Sequence, residues 1–496
     1  MDDIDEIRRK RTIKVLLTDF FMATSVVAIV IILVAAVAGW RINSDFSVEQ
    51  NGLVSIKTHP TDATVFIDEE KQYQHSSMSK MLPGGKHLVA LEKDGYERWE
   101  KEINVTPGWL LRLEYPRLIK QNREKTTIKE FEKLKFFYVS PNRTTAIYSE
   151  ENSTDWVIVT DLTGTPKFKH IDIKGIFNGT SDGKFNLEFR SIEWSKNTEK
   201  ILLHVANDKI DEWGIINLKD IKESVNLSDD YSRFVANSEN LVASARKTSS
   251  EKISQAKFEN EAGDKIVAIT SNNLMRIDTV SKTVSGPFAE DAVKFAIYDQ
   301  TLIYQTKFEE SNSYIKTLRL GEKVSTIVAV NTDEDAIIAF EITRFNSTNY
   351  LLYTIDNHLY VYKANDFPSG NDKFNMTPVA DVTIGIVPSE ASVSNNKEFI
   401  TLREGSRVVV FDTELELYHE YDYGDEVVRF LDTHMMSRVD KASNKFLTWD
   451  FDGTNVRTLV VDNAAYGFDS LITTNNKYFY YIKTTETGFA LIQETL

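Results

Sequence analysis

Residues Phe136 to Asp161 read FFYVSPNRTTAIYSEENSTDWVIVTD. A short apolar run, Phe136-Phe137-Tyr138-Val139, breaks at Ser140-Pro141-Asn142. A second run follows at Ala146-Ile147-Tyr148 and a third at Val157-Ile158-Val159-Thr160-Asp161. Runs of three to five largely apolar and β-branched residues bounded by Ser, Pro, Asn and Asp predict strands joined by tight turns. The same order returns at Ile192-Glu193-Trp194-Ser195-Lys196-Asn197, with Ile201-Leu202-Leu203-His204 and Ile215-Ile216-Asn217 behind it. Fainter copies centre on Asn237 and Asp299. Clearer ones carry Phe345-Asn346-Ser347-Thr348-Asn349, Val393-Ser394-Asn395-Asn396-Lys397, Ala442-Ser443-Asn444-Lys445 and Thr474-Asn475-Asn476-Lys477. Between Asn237 and Asp299, Lys265 to Ile269 is also strand-like and marks a hidden or inserted element.

Several short strands per unit, repeated every few tens of residues, predict a β-propeller with seven or eight blades over residues 136–496. A small sheet cannot bury both faces alone, so its neighbours must stack on it, and a closed ring leaves no open end. An array of β-sandwiches is the competing architecture. The Ser-x-Asn turns resemble the Ser-Pro-Asp-Gly hairpins of TolB-like and WD40-like propellers, most closely at Ser140-Pro141-Asn142, and Trp449-Asp450 resembles a WD dipeptide.

Ahead of a charged connector (117–135) lies a smaller β-domain, residues 52–116. Val54, Ile56 and Thr58 alternate with Ser55 and Lys57, the period of a half-buried strand. Further strands are predicted at Ala63–Asp68, His87–Glu92 and Trp99–Val105, with turns at His59–Asp62, Pro83–Gly85 and Lys93–Tyr96. Gly52–Ile56, Pro60-Thr61-Asp62-Ala63, Val65–Asp68, Leu82–His87 and Asp94-Gly95-Tyr96 together resemble the PEGA domain, a small sandwich-like module of bacterial and archaeal envelope proteins. Where that family usually has Glu-Gly between its Pro and Ala, this chain has Thr61-Asp62, which puts the glycine-dependent turn in question. The resemblance implies an envelope location and recognition or scaffolding, with no chemistry attached.

Phe20 to Trp40 is a run of 21 residues without a charge. At about 1.5 Å per helical residue it matches a hydrocarbon core of roughly 30 Å. It predicts a single transmembrane helix with Phe20, Val27, Ile31 and Leu33 facing lipid and Trp40 at the interface. Arg8, Arg9, Lys10, Arg11 and Lys14 precede it and only Arg41 follows closely. The positive-inside rule therefore keeps residues 1–19 in the cytoplasm and sends the tether 41–51 and all that follows outward. A cleaved signal peptide ending near Val37-Ala38-Gly39 is the competing reading. The expected fold is thus an all-β ectodomain, a small PEGA-like β-sandwich plus a seven- or eight-bladed propeller, behind one membrane helix.

Composition narrows the function classes. There are no cysteines, so disulfides, thiolate metal sites and cysteine nucleophiles are excluded. The net charge of −16 disfavours nucleic acid as a partner. None of the eight histidines has the HExxH spacing. His59 and His87 lack a third ligand. Gly179–Gly183 matches G-x-S-x-G without the strand-to-helix context that motif requires. Asp450-Phe451-Asp452-Gly453-Thr454-Asn455 spaces its oxygens like a calcium loop but lacks the closing Glu, and an Asp-Gly turn explains it. No catalytic, cofactor or metal residue is therefore expected. Tyr96, Trp99 and Trp109, if exposed, form candidate stacking aromatics for a glycan, against the simpler reading that they pack at a core or edge. The expected partners are the bilayer, through residues 20–40, and an envelope protein or cell-wall polysaccharide. A propeller-type glycan lyase or hydrolase, and a sensor or assembly partner, are the alternatives.

Overall fold

The computed structural model describes residues 2–37, 39–42, 48–238, 252–370 and 373–496. The chain divides into two compact units, residues 1–123 and 124–496.

The first unit opens with one long helix, Asp2–Val37 (α1). Its apolar window is Leu16–Ala35, 20 residues with mean hydropathy 2.4 and none of it buried by protein. The hydroxyls in or beside that window are satisfied along the helix itself. Thr18 donates to the Lys14 carbonyl, Thr24 to Phe20 and Ser25 to Met22, which removes the cost of carrying them into lipid. Phe20, Val27, Ile31 and Leu33 lie on the exposed surface of α1. Trp40 does not belong to the helix. The helix ends at Val37, Gly39 turns with φ +86°, and Trp40–Ile42 pairs with Val48–Gln50 as a two-stranded ribbon. The span therefore sits four to five residues earlier than 20–40, because Leu16 and Leu17 extend it past Asp19. Five of the six described tether residues belong to this ribbon; residues 43–47 of the tether and Ala38 of the candidate cleavage site lie outside the described residues.

The small β-domain is two sheets. One orders Met78–Leu82, Gly52–Ile56 and Leu110–Leu113, the last pair parallel; the other orders Glu70–His75, Thr64–Ile67, Gly85–Glu92 and Trp99–Val105. Val54, Ile56, Val65, Ile67, Val89, Leu91, Trp99, Ile103 and Leu113 share one buried core, the inward positions of alternating strands. At the turn where glycine was in question, Asp62 itself takes φ +65°. Asp tolerates the left-handed region better than most residues. Its amide donates to the Ser76 carbonyl (2.9 Å), so the turn survives the missing glycine.

Among the described residues, the second unit is a ring of eight four-stranded antiparallel blades. Blade 1 spans Phe136–Val139 to Lys167–Asp172, blade 2 Glu188–Trp194 to Val225–Asn226, and blade 3 Ile253–Phe258 to Thr283–Ala289. Blade 4 spans Ala292–Tyr298 to Thr326–Asn331, blade 5 Ile338–Phe345 to Thr377–Thr383, and blade 6 Glu390–Val393 to Leu417–Tyr421. Blade 7 spans Arg429–Phe430 to Arg457–Val460. Blade 8 is composite: Leu471–Ile472, Tyr478–Thr484 and Phe489–Thr495 take Lys125–Phe131 as their outermost strand. The expected connector 117–135 is corrected accordingly. Seven of its residues close the ring, a pairing across more than 350 positions that no local pattern announces.

Two further expectations shift. Asn237 is not a blade centre; it is the C-terminal cap of a helix, Leu227–Ala236 (α2). Blade 2 has only two residues of fourth strand, Val225–Asn226. The amphipathic α2 then lays Leu227, Tyr231, Phe234 and Val235 over Trp213 and Ile215 of blade 2 and Ile266 and Met275 of blade 3. The strand-like Lys265–Ile269 belongs to blade 3 itself. In blade 7, Ala442–Lys445 turns between the second and third strands, whereas the other copies turn between the first and second.

The recurring turn has one geometry in four blades. Ser140, Ser195, Ser394 and Thr473 each donate their hydroxyl to the Asn two residues on, at 2.8, 2.7, 2.6 and 2.7 Å. Each hydroxyl also accepts the amide five residues on, from Thr145, Lys200, Phe399 and Tyr478. The fourth turn residue is left-handed every time: Arg143, Thr198, Lys397 and Asn476, with φ between 57° and 66°. A β-branched residue there costs about 1–2 kcal/mol, partly offset by the entropy glycine loses on folding. Thr198→Gly is therefore expected to stabilise the chain by about 0.5–1 kcal/mol, read as a raised midpoint in thermal or urea unfolding. A lowered midpoint would mean that the Thr198 side chain contributes more than its backbone costs.

Candidate binding surfaces

Three regions collect the side chains that can meet a partner. The first is the small domain, where the three predicted aromatics separate. Trp99 is fully buried, edge-on to Tyr115 at 6.3 Å, so it is core and no stacking platform. It sits at an inward position of its strand, and burying an indole stabilises a small core far more than exposing one helps binding. Tyr96 is half-buried against the same core. Only Trp109 stands out, 70% exposed. His87 is held by Asp68 (Nδ1 to carboxylate, 2.6 Å) and by the Pro83 carbonyl (3.0 Å). Burial opposes its protonation, but Asp68 and that carbonyl more than offset it and lift its pKa above the ordinary value. It does not pair with His59. Among the described residues no group of three His, Cys, Asp or Glu side chains is placed to hold a metal ion.

The second region is the channel of the propeller, lined by the first strand of each blade. Glu193 (blade 2), Lys257 (blade 3), Lys294 (blade 4) and Glu341 (blade 5) gather there. Lys257 lies 3.9 Å from Glu341, two blades away. Glu193 accepts the Phe258 amide (3.0 Å), and Glu341 accepts the Ile342 amide (3.1 Å). Lys294 donates to the carbonyls of Ile338 (2.9 Å) and Ser389 (2.7 Å). Gln255 and Phe295 exchange two hydrogen bonds between blades 3 and 4. Burial raises the Glu193 carboxyl to about 7, with Lys257 pulling the other way. Burial likewise raises Glu341. Lys257 is disfavoured as a cation by burial, but Glu341 and Glu193 together hold its pKa above the ordinary value. These groups clamp the inner strands of neighbouring blades to one another.

The third region is a pair of clefts at the two mouths of the ring. On the side of the first-to-second-strand turns, a cavity of about 240 Å³ is lined by Ser140, Arg143, Ser394, Asn395, Arg429 and Asp469, among others. Arg429 pairs with Asp469 at 2.8 Å, and Asp469 also accepts the Val139 amide. On the opposite side, blades 1 and 2 form a cleft of about 490 Å³ between Phe136, Tyr138, Asn152, Asn186 and Phe189. Phe136 stacks on Tyr138 (5.3 Å), and Phe189 meets both edge-on at 5.1 and 5.6 Å. Trp156 and Phe185 support them from beneath. Lys135 donates to the Asn152 side chain (3.0 Å) and the Phe185 carbonyl (2.7 Å). Tyr138 and Phe189 remain half-exposed, and Asn152 and Asn186 are open to solvent. A rigid aromatic wall beside amides and a cation suits the apolar face and hydroxyl rim of a sugar ring. Sequence reading missed this cleft. Its aromatics read as ordinary strand residues, and only their meeting across two blades shows otherwise.

Two motifs weighed for chemistry prove to be turns. Ser181 of the G-x-S-x-G match is exposed in the loop between blades 1 and 2, between the left-handed Gly179 and Gly183. In the calcium-like loop, Asp452 accepts the Thr454 amide and hydroxyl, and Asn455 donates to Asp450.

Comparison with known proteins agrees with this division. Residues 51–117 match the model of the PEGA domain. No curated protein matches the chain in sequence. Solved structures similar to it include the C-terminal WD40 domain of Sif2, at 12% identity and a TM-score of 0.42, covering 75% of this chain and 98% of that one. The Dos1 propeller matches at 8% identity and a TM-score of 0.42, covering 75% and 94%. An oligogalacturonate lyase in complex with manganese matches at 11% identity and a TM-score of 0.36, covering 75% and 97%. These likenesses are too distant to carry function. The blade count rests on the strand pairing itself. The chain thus combines an N-terminal apolar helix long enough to cross a membrane, a segment at residues 51–117 that matches the PEGA domain, and a C-terminal β-propeller of eight blades among the described residues.

Proposed function

We propose that this chain is a membrane-anchored interaction and scaffolding protein of the bacterial cell envelope, with its amino terminus in the cytoplasm and its PEGA domain and propeller outside. The propeller holds a polysaccharide of the wall without transforming it. The observation that carries this reading is the cleft of Phe136, Tyr138 and Phe189 beside Asn152 and Asn186. In the channel wall, the acids Glu193 and Glu341 face Lys257 and accept backbone amides, so they serve to join blades. The excess of basic residues in α1 ahead of its apolar window supports the orientation. A protein partner is the second reading. Val324, Ile327 and Val330, each 44–49% exposed along the outer edge of blade 4, favour it.

The test uses the full chain in lipid nanodiscs, titrated with purified cell-wall polysaccharides. Saturable binding with the polymer recovered intact is expected. Tyr138→Ala with Phe189→Ala should weaken it at least tenfold, about 1.4 kcal/mol or more, measured well below the variant's own melting transition because both rings also pack on Phe136. Release of shortened or unsaturated fragments would make the protein an enzyme and end the scaffold reading. Because the chain has no cysteine, Asp94→Cys reports orientation directly. A membrane-impermeant maleimide should label it on intact cells.

A further inference from the structure

The exposed Trp109 has a neighbour that explains it. Asn51 donates its amide to the Gly39 carbonyl (2.9 Å) just past the end of α1. Its own carbonyl accepts the Gly108 amide (3.0 Å), and the Trp109 carbonyl accepts the Leu53 amide (2.9 Å). Two backbone bonds thus tie the tip carrying Trp109 to the residue where the apolar helix stops. The fit is close: a side chain on Gly39 would meet the Asn51 carbonyl at 2.5 Å and Met81 at 3.1 Å. Val37, where α1 ends, stands two residues or about 3 Å of helical rise beyond Ala35, the end of the apolar window, and Gly39 is two residues further along the chain. The polar zone on each side of the hydrocarbon core is about 5–8 Å thick.

The composition of this tip matches that depth. Thr106-Pro107-Gly108-Trp109-Leu110-Leu111 has no charge, and neither has Met81-Leu82-Pro83-Gly84-Gly85, whose Gly84 abuts Pro107. Trp109 is 70% exposed and Leu110 41%, while Trp40, at the head of the ribbon, is 45% exposed. The opposite end of the domain, eight residues along the strand Gly85–Glu92, carries Lys93 and Asp94. Aromatic residues with one apolar side are favoured at the headgroup level, and apolar loops gain by entering it.

We infer that the PEGA domain is seated on its own membrane, with Trp109 and Leu110 inserted at the headgroup boundary beside the exit of α1. This rests on α1 crossing the bilayer. The occupant of the patch is lipid, because the patch is continuous with the end of the span and lies within the interfacial depth. The domain is then held upright rather than swinging on a tether, and its charged end points away from the bilayer.

Single cysteines at Leu33, Leu110 and Asp94, each carrying a nitroxide, report depth in nanodiscs of phosphatidylglycerol and phosphatidylethanolamine. The measure is collision with oxygen against collision with a nickel chelate. The expected result is an oxygen-to-nickel ratio at position 110 several-fold above that at 94 and below that at 33. A ratio at 110 equal to that at 94, with 33 still in hydrocarbon, overturns the inference while leaving the anchor intact. Position 33 reading as aqueous overturns the anchor, and this inference with it. Position 110 shielded from both reagents means that protein covers the patch, which also overturns it. Pro107→Cys, exposed in the same tip, takes the place of Leu110→Cys if that variant melts abnormally.

Discussion

Ending the chain at Gly488 abolishes cooperative unfolding of the propeller. The missing strand Phe489–Thr495 lies between Tyr478–Thr484 and Lys125–Phe131 and pairs with both. Its loss therefore strips two strands from blade 8. Lys125–Phe131 has no other partner strand in that sheet, and Phe131, buried against Tyr148 at 5.0 Å, loses its mooring. Leu491 and Ile492 leave the core as well; each fully buried aliphatic side chain is worth about 1.5–3 kcal/mol. Ring closure is what removes free sheet edges from a propeller, so the truncation also exposes an unpaired strand beside an apolar face. The expected measurement is a melting transition lost or lowered by well over about 4 °C, together with rapid proteolysis between residues 136 and 488. A truncated chain that melts like the full one would show that blades 1 to 7 stand without closure.

Lys257→Met is the second large effect, and it works through charge. Lys257 is the cation facing both Glu193 and Glu341. Removing one partner of a buried charged group typically costs about 3–5 kcal/mol; here Glu193 loses the cation that pulls its carboxyl down and Glu341 keeps only Lys294. Methionine keeps the shape of the side chain, so the loss is electrostatic. Its pH dependence has a definite sign. Glu193 has a folded-state pKa of about 7, raised from 4.5, so the folded chain binds more protons than the unfolded one between those values. Stability from this group is full below about pH 4.5 and falls as pH rises through 7. Without Lys257 the carboxyls rise further, so the fall steepens and extends upward. The variant should lose most at pH 8 and recover much of its midpoint at pH 5.5. Equal losses at both values would assign the damage to packing.

Much of this was legible along the chain. The apolar run behind a basic start marks a helix long and apolar enough to cross a membrane, because such a segment satisfies its own backbone. The alternation at Val54–Thr58 and the turn at Pro83–Gly85 mark the small domain. The Ser-x-Asn turns mark blades 1, 2 and 6 because the hydrogen bonds that define them span only five residues. Blade 3 escaped, for its equivalent turn uses Asn260 and Gly263 without the serine. The helix Leu227–Ala236 was hidden for a different reason: a short amphipathic segment among strands reads as one more strand.

What the sequence alone determined are features whose causes lie within a few residues: the long apolar helix, the individual hairpins, the absence of thiols and the acidic charge. The tertiary structure decided the rest. It joined residues 125–131 to 489–495, counted the blades as eight, buried Trp99 and left Trp109 out. It also brought Tyr138 to Phe189 and Lys257 to Glu341. The reason is distance along the chain. A turn is fixed by the hydrogen bonds of its own residues, whereas a closed ring and a cleft between blades are fixed by contacts between segments that become neighbours only on folding.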